Sequence, residues 1–117
     1  MIPSKLEKLL LGKNASKKEF PFGDDVAVYK VLGKIFALVG YKDNLININL
    51  KCHPDDAVGY RDIYDCVIPG YHMNKKHWNT IILNGEMKDE ILSDMINESY
   101  DLVVSKLTKK DKILLLK

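Results

Sequence analysis

The run "LININLKC" alternates without a break. Ile46, Ile48, Leu50 and Cys52 fall on one side, and Asn47, Asn49, Lys51 and His53 on the other. A period of two defines a strand with one apolar and one wet face. Upstream, "VAVYKV" and "KIFALVG" are rich in β-branched and aromatic residues and are separated by a turn near Leu32-Gly33. In the second run Phe36 and Leu38 oppose Ile35, Ala37 and Val39, so both faces are apolar and the strand belongs at the centre of a sheet. Asp43-Asn44 marks the next turn.

The pattern changes to helical spacing in three places. Leu6, Leu9 and Leu10 share a face over residues 4–11, with Ser4 as N-cap and Gly12 as the stop. Pro54 suits a first helical turn, where its missing N–H costs nothing, and Asp55 and Asp56 suit the positive end of the helix dipole. Residues 88–107 place Ile91, Leu92, Met95, Ile96, Ser99, Leu102 and Val103 on a 3.6-residue period, which predicts a long amphipathic helix lying on the sheet. The segment "KNASKKEFPFGDD" reads as a loop, and "CVIPGYHMNKKHWNTIIL" as two strands with a bend at Pro69-Gly70. The predicted order is α-β-β-β-α-β-β-α, an α+β two-layer sandwich. Hairpin-length connections make its five-stranded sheet mostly antiparallel, packed against helices.

Length and composition fit one domain spanning residues 1–117. The chain is 46% hydrophobic and 29% charged, the balance of a folded globular protein. No apolar run approaches the roughly 20 residues that span a bilayer, and the first residues do not resemble a signal peptide. Cys52 and Cys66 form no CxxC pair, so two reduced thiols and a cytoplasmic location are expected. Net charge is only +2, but it is unevenly placed. Residues 71–83 contain no acid and carry His72, Lys75, Lys76 and His77, whereas residues 86–101 are dominated by Glu86, Asp89, Glu90, Asp94, Glu98 and Asp101. The last residues, 108–117, form a basic tail.

Candidate chemistry narrows quickly. His53, His72, His77, Cys52 and Cys66 are zinc-compatible ligands, but their spacings match none of the usual pairs, and no metal or other cofactor is expected. No Gly-x-Ser-x-Gly elbow, activated cysteine, Gly-rich phosphate loop or paired carboxylates stand out, so the chain is not expected to be an enzyme. What remains is "YHMNKKHWN". If extended, it projects Lys76, Trp78 and Thr80 one way and Lys75, His77 and Asn79 the other. An aromatic beside lysines and amides suits phosphate contact with base or sugar stacking, and Lys30, Lys34 and Lys51 extend the patch. On the residues alone an equally good account makes Trp78 a core residue beneath the long helix and Lys75-Lys76 an edge-protecting pair.

"VIPGYHMNKKHWNTIIL" followed by "SYDLVVSKL", together with "FPFG", "KVLGKIFAL" and "INLKCHPDDA", resembles the MmcQ/YjbR family of small bacterial proteins, over residues 20–107. The resemblance implies a CyaY-like α+β fold and DNA binding through a double wing of β-hairpins, without catalytic residues. By position it carries Tyr71, His72, Asn74, Lys75, Lys76, His77, Trp78 and Asn79 onto the functional surface, with Lys51 beside them. The expected partner is DNA, bound weakly and salt-sensitively by a monomer or weak dimer away from membranes. A protein- or peptide-binding module, by analogy with secretion chaperones, and a small-molecule binder are the alternatives. The short first helix, the loop "LGKNASKKE" and the tail depart from the family pattern.

Overall fold

The computed structural model describes residues 1–70 and 73–116. Helix α1 (Pro3–Leu11) is followed by β1 (Ser16–Glu19), β2 (Ala27–Val31), β3 (Lys34–Lys42), β4 (Leu45–Lys51), α2 (Pro54–Ile63), β5 (Val67–Pro69), β6 (Trp78–Ile82), α3 (Asp89–Ser105) and α4 (Lys109–Leu115). The strands form one sheet in the order β1-β2-β3-β4-β6-β5, with every neighbouring pair antiparallel. The architecture is thus the expected α+β sandwich with β3 inside the sheet, but the sheet has six strands rather than five. The additional strand is β1, where a loop was expected. Its sequence "SKKE" is polar because it lies at the sheet edge, pairing only with β2. The basic tail likewise contains a helix, α4, started by Thr108, whose hydroxyl accepts from the Asp111 N–H. At the other terminus Pro3 sits in the first turn of α1 and Ile2, not Ser4, is its N-cap.

Two hairpins follow the predicted turns. Leu32 and Gly33 have φ of 45° and 82°, and Asp43 and Asn44 have 53° and 66°. Positive φ at both central residues matches the right-handed twist of the flanking strands. The β2–β3 hairpin also carries a bulge: Tyr29 pairs with Ala37 but Lys30 with Ile35, so Phe36 has no partner in β2. The extra residue turns Phe36 and Ala37 both toward the helices, while Ile35 and Leu38 point to the opposite face. Ser99 of α3 bridges β3 and β4 just beyond the last pair of their ladder, Ala37 with Leu50. Its hydroxyl donates to the Phe36 carbonyl at 2.6 Å and accepts from the Lys51 N–H at 2.8 Å.

The sheet therefore has two unlike faces. Leu6 and Leu10 of α1, Ala57 of α2 and Leu92, Met95, Ile96 and Val103 of α3 bury one face, against Tyr29, Phe36, Ile48, Leu50 and Ile81. Phe36 meets Tyr100 edge to face at 5.3 Å. The other face holds a smaller cluster, Val28, Leu38 and Trp78, flanked by Val26, Ile35 and Met73. No helix among the described residues is long and apolar enough to cross a membrane.

Candidate functional site

The strand register runs every polar side chain of β4 onto the face away from the helices. Asn49 lies opposite Leu38 on one side and Thr80 on the other, and Lys51 lies opposite Trp78. Across the same strands Leu50 pairs with Asn79, on the helix-covered face. Adjacent residues of β6 thus have opposite environments. Trp78 packs under Met73 with Val28 and Leu38, and Asn79 points at α2, where its Nδ2 donates to the Ala57 carbonyl at 3.1 Å.

Residues 75–77 form a turn rather than the extended strand expected from the sequence. Asn74 builds it: its Oδ1 accepts from the Lys76 N–H at 2.9 Å, and its carbonyl accepts from the N–H groups of His77 and Trp78. The turn is tied to the sheet by the Cys52 N–H, which donates to the His77 carbonyl at 2.7 Å. Gly70 anchors the other end of the loop, with its N–H on the Trp78 carbonyl at 2.9 Å, and a Cβ on Gly70 would stand 2.9 Å from the Trp78 Cβ.

These positions sort the expected site residues. Asn74, Lys75 and Lys76 are exposed, His77 and Lys51 are half-buried, and Tyr71 and His72 lie outside the described residues. Two expectations are corrected. Trp78 is only 7% exposed, closed over on the sheet face opposite the long helix, so it neither stacks on a ligand nor lies beneath α3. Asn79 is fully buried against α2 and offers nothing to a partner at the surface. Lys30 also leaves the patch, since its Nζ is 3.0 Å from the Glu19 carboxylate.

Near the turn, Lys34, Lys51 and Lys106 rim a shallow depression of about 450 Å³ floored by Ile35, Met73 and Trp78. Lys34 starts β3, Lys51 ends β4 and Lys106 caps α3, so elements distant in sequence deliver cations to one end of the sheet. Among the described residues no ion pair engages Lys34, Lys51, Lys75, Lys76 or Lys106, whereas Lys5, Lys18 and Lys30 each hold a carboxylate. Lys106 escaped sequence reasoning because only the length of α3 brings it to this end. Acids gather instead on α2 and α3, where burial, then the neighbouring Asp56, pushes the Glu98 carboxyl above its ordinary range.

A second depression, of about 280 Å³, lies on the open sheet face, lined by Leu38, Asn47, Asn49, Thr80, Tyr41 and Met73. Thr80 Oγ1 donates to Asn49 Oδ1 at 2.5 Å. Asn47 Oδ1 is shielded and has no hydrogen-bond partner among the described residues. The alternation of "LININLKC" already placed both asparagines on the wet face, although nothing in it marked a cavity. The thiols are inert by environment: burial pushes Cys52 up to about 12 and Cys66 up to about 11, so neither is a thiolate at neutral pH. No group of three or more His, Cys, Asp or Glu among the described residues could hold a metal ion.

One antiparallel sheet, helices on a single face and a cationic end define a small α+β protein with an open sheet surface. The chain belongs to the YjbR family, whose model matches residues 11–102. It is 42% identical over 93 residues to the uncharacterised Escherichia coli O157:H7 protein YbdF, covering 80% of this chain and 76% of that one. It is 33% identical over 86 residues to the uncharacterised protein YjbR of Escherichia coli K12, covering 74% and 73%. In structure it is similar to the Deinococcus radiodurans protein DR2400, of the DUF419 domain, with a TM-score of 0.88 and 33% identity over 96% of this chain and 86% of that one.

Proposed function

We propose that this chain is a non-enzymatic, cytoplasmic DNA-binding protein that grips the phosphate backbone with the lysine-bearing end of its sheet. The observation that carries the reading is the set of cations at that end, Lys34, Lys51, Lys75, Lys76 and Lys106, without ion pairs among the described residues. A phosphate backbone is the repeating anion that such a set neutralises, releasing condensed counterions as it does so. The tip of the β2–β3 hairpin and the turn at residues 75–77 flank the depression and act as the two wings. Lys75 and Lys76 neutralise phosphates, Asn74 shapes the turn that presents them, and buried Trp78 anchors it.

Such contacts position a protein on nucleic acid without reading sequence. Binding is weak, nearly independent of sequence and strongly dependent on salt. If each of these lysines engages one phosphate, log Kd against log salt on duplex DNA changes with a slope of roughly 4.5. Titration of a labelled duplex at two salt concentrations tests this, and absence of binding at low salt would sink the reading.

A second reading, a protein-interaction module, draws support from the other end of the sheet, where Phe20, Phe22 and Tyr41 are 47%, 69% and 68% exposed. It requires a captured protein partner that survives nuclease treatment and is lost in the Phe22→Ser variant.

A further inference from the structure

We infer that the 280 Å³ depression on the open sheet face receives one unstacked base of a single strand, whose phosphates lie along the lysine-bearing end; this deepens the DNA-binding reading and rests on it. The depression and the lysine-rimmed hollow share a wall, Met73, which stands two residues before Lys75. A ligand that fills both must join an anionic chain to a compact group with apolar faces and a polar edge. A nucleotide of a single strand has that form, whereas the bases of a duplex are stacked and turned inward.

The lining fits such a group. Leu38, Val26 and Met73 supply apolar and polarisable surface, and Tyr41 is largely exposed at the rim, free to stack. The volume is just under the range of about 300–1,000 Å³ typical of small-molecule sites, which admits one ring system and little more. Asn47 and Asn49, two residues apart on β4, present their amides from the same face of the strand. Thr80 occupies the oxygen of Asn49, which leaves its amide N–H groups for an acceptor. Asn47 Oδ1 has no partner among the described residues, so rotation of that amide into the depression breaks no hydrogen bond they make with its oxygen. An unsatisfied shielded oxygen is costly, and an N–H donor from a ligand relieves it. A donor beside a ring acceptor is the edge of adenine, the base that asparagine side chains pair with most directly.

The test uses the full chain and three probes at low salt: a single-stranded oligodeoxyadenylate, an abasic sugar–phosphate oligomer of equal length, and a duplex. The expected result is that the oligodeoxyadenylate binds roughly tenfold more tightly than the abasic strand. Asn47→Ala should remove that preference while keeping the salt dependence, with melting temperature as the check on folding. Because the abasic comparison is made on the unaltered protein, an unfolded variant does not rescue the idea. Equal affinity for the two strands overturns the base site and leaves the phosphate reading standing. A preference that persists in a folded Asn47→Ala protein places the base elsewhere and also overturns it. Binding of no probe removes both.

Discussion

In residues 74–76 every side chain is exposed, whereas in the strand that follows Trp78, Asn79, Thr80 and Ile81 are all buried. The boundary falls at His77, whose carbonyl is held by the Cys52 N–H at the end of β4. One contiguous sequence block therefore does two separate things. Its first part is a charged turn whose side chains touch little; its second is an interior strand whose side chains fill both faces of the sheet. The motif is distinctive as a string because surface presentation and core packing are written next to each other, with the exposed charge confined to the turn.

The sharpest way to break this division is Trp78→Ala. Removing a nearly buried indole that packs on Val28, Leu38 and Met73 should cost about 3–5 kcal/mol of stability, read by denaturant unfolding. If Trp78 were a ligand-stacking residue, the variant would instead keep its stability and lose only binding.

Ser99→Ala comes next. The Ser99 hydroxyl satisfies both the buried Phe36 carbonyl and the part-buried Lys51 N–H, so its loss orphans two backbone groups at about 1–2 kcal/mol each. A total of about 2–4 kcal/mol is expected in the same unfolding measurement. Replacement by Thr keeps the hydroxyl and should restore part of it. Gly70→Ala follows. The new Cβ would meet the Trp78 Cβ at 2.9 Å and its carbonyl oxygen at 3.0 Å, contacts that the loop must shift to relieve. Overpacking of this kind costs about 1–3 kcal/mol. Equal stability in Gly70→Ala would mean that the loop does not depend on its seat against β6.

How far the sequence reveals this division can be judged strand by strand. The alternation in β4 is legible because one face is dry and the other wet, and it correctly separates Ile48 and Leu50 from Asn47 and Asn49. The same rule fails at β6, where the pattern "WNTII" is buried on both faces. Asparagine and threonine at buried positions imitate a wet face, because their partners, the Ala57 carbonyl and the Asn49 side chain, come from other elements. The edge strand β1 is invisible for the opposite reason: paired on one side only, it needs no apolar residues to hold its place. Lysine convergence at one end depends on register and helix length, which no local window contains. The family resemblance singles out the segment as a whole and does not divide it, since a motif string treats Asn74 and Asn79 alike.

The smallest expected effect on the fold is the most informative about the surface. Replacing both Lys75 and Lys76 with Ala changes side chains that are exposed and make no ion pair among the described residues, so stability should move by less than about 0.5 kcal/mol. The turn itself is held by Asn74 Oδ1 and backbone hydrogen bonds, none of which involves an ammonium group. Binding should respond instead. Losing two neutralised phosphates lowers the magnitude of the log–log salt slope on duplex DNA by roughly 1.8, and the affinities of altered and unaltered protein should converge as salt rises. A stability loss as large as that of Trp78→Ala would show that the turn belongs to the core after all. An unchanged slope with an intact fold would exclude the pair from the interface and shift the cationic role to Lys34, Lys51 and Lys106. Either result redraws the boundary at His77, which is why a double variant with almost no thermal signature tests the contrast between turn and strand most directly.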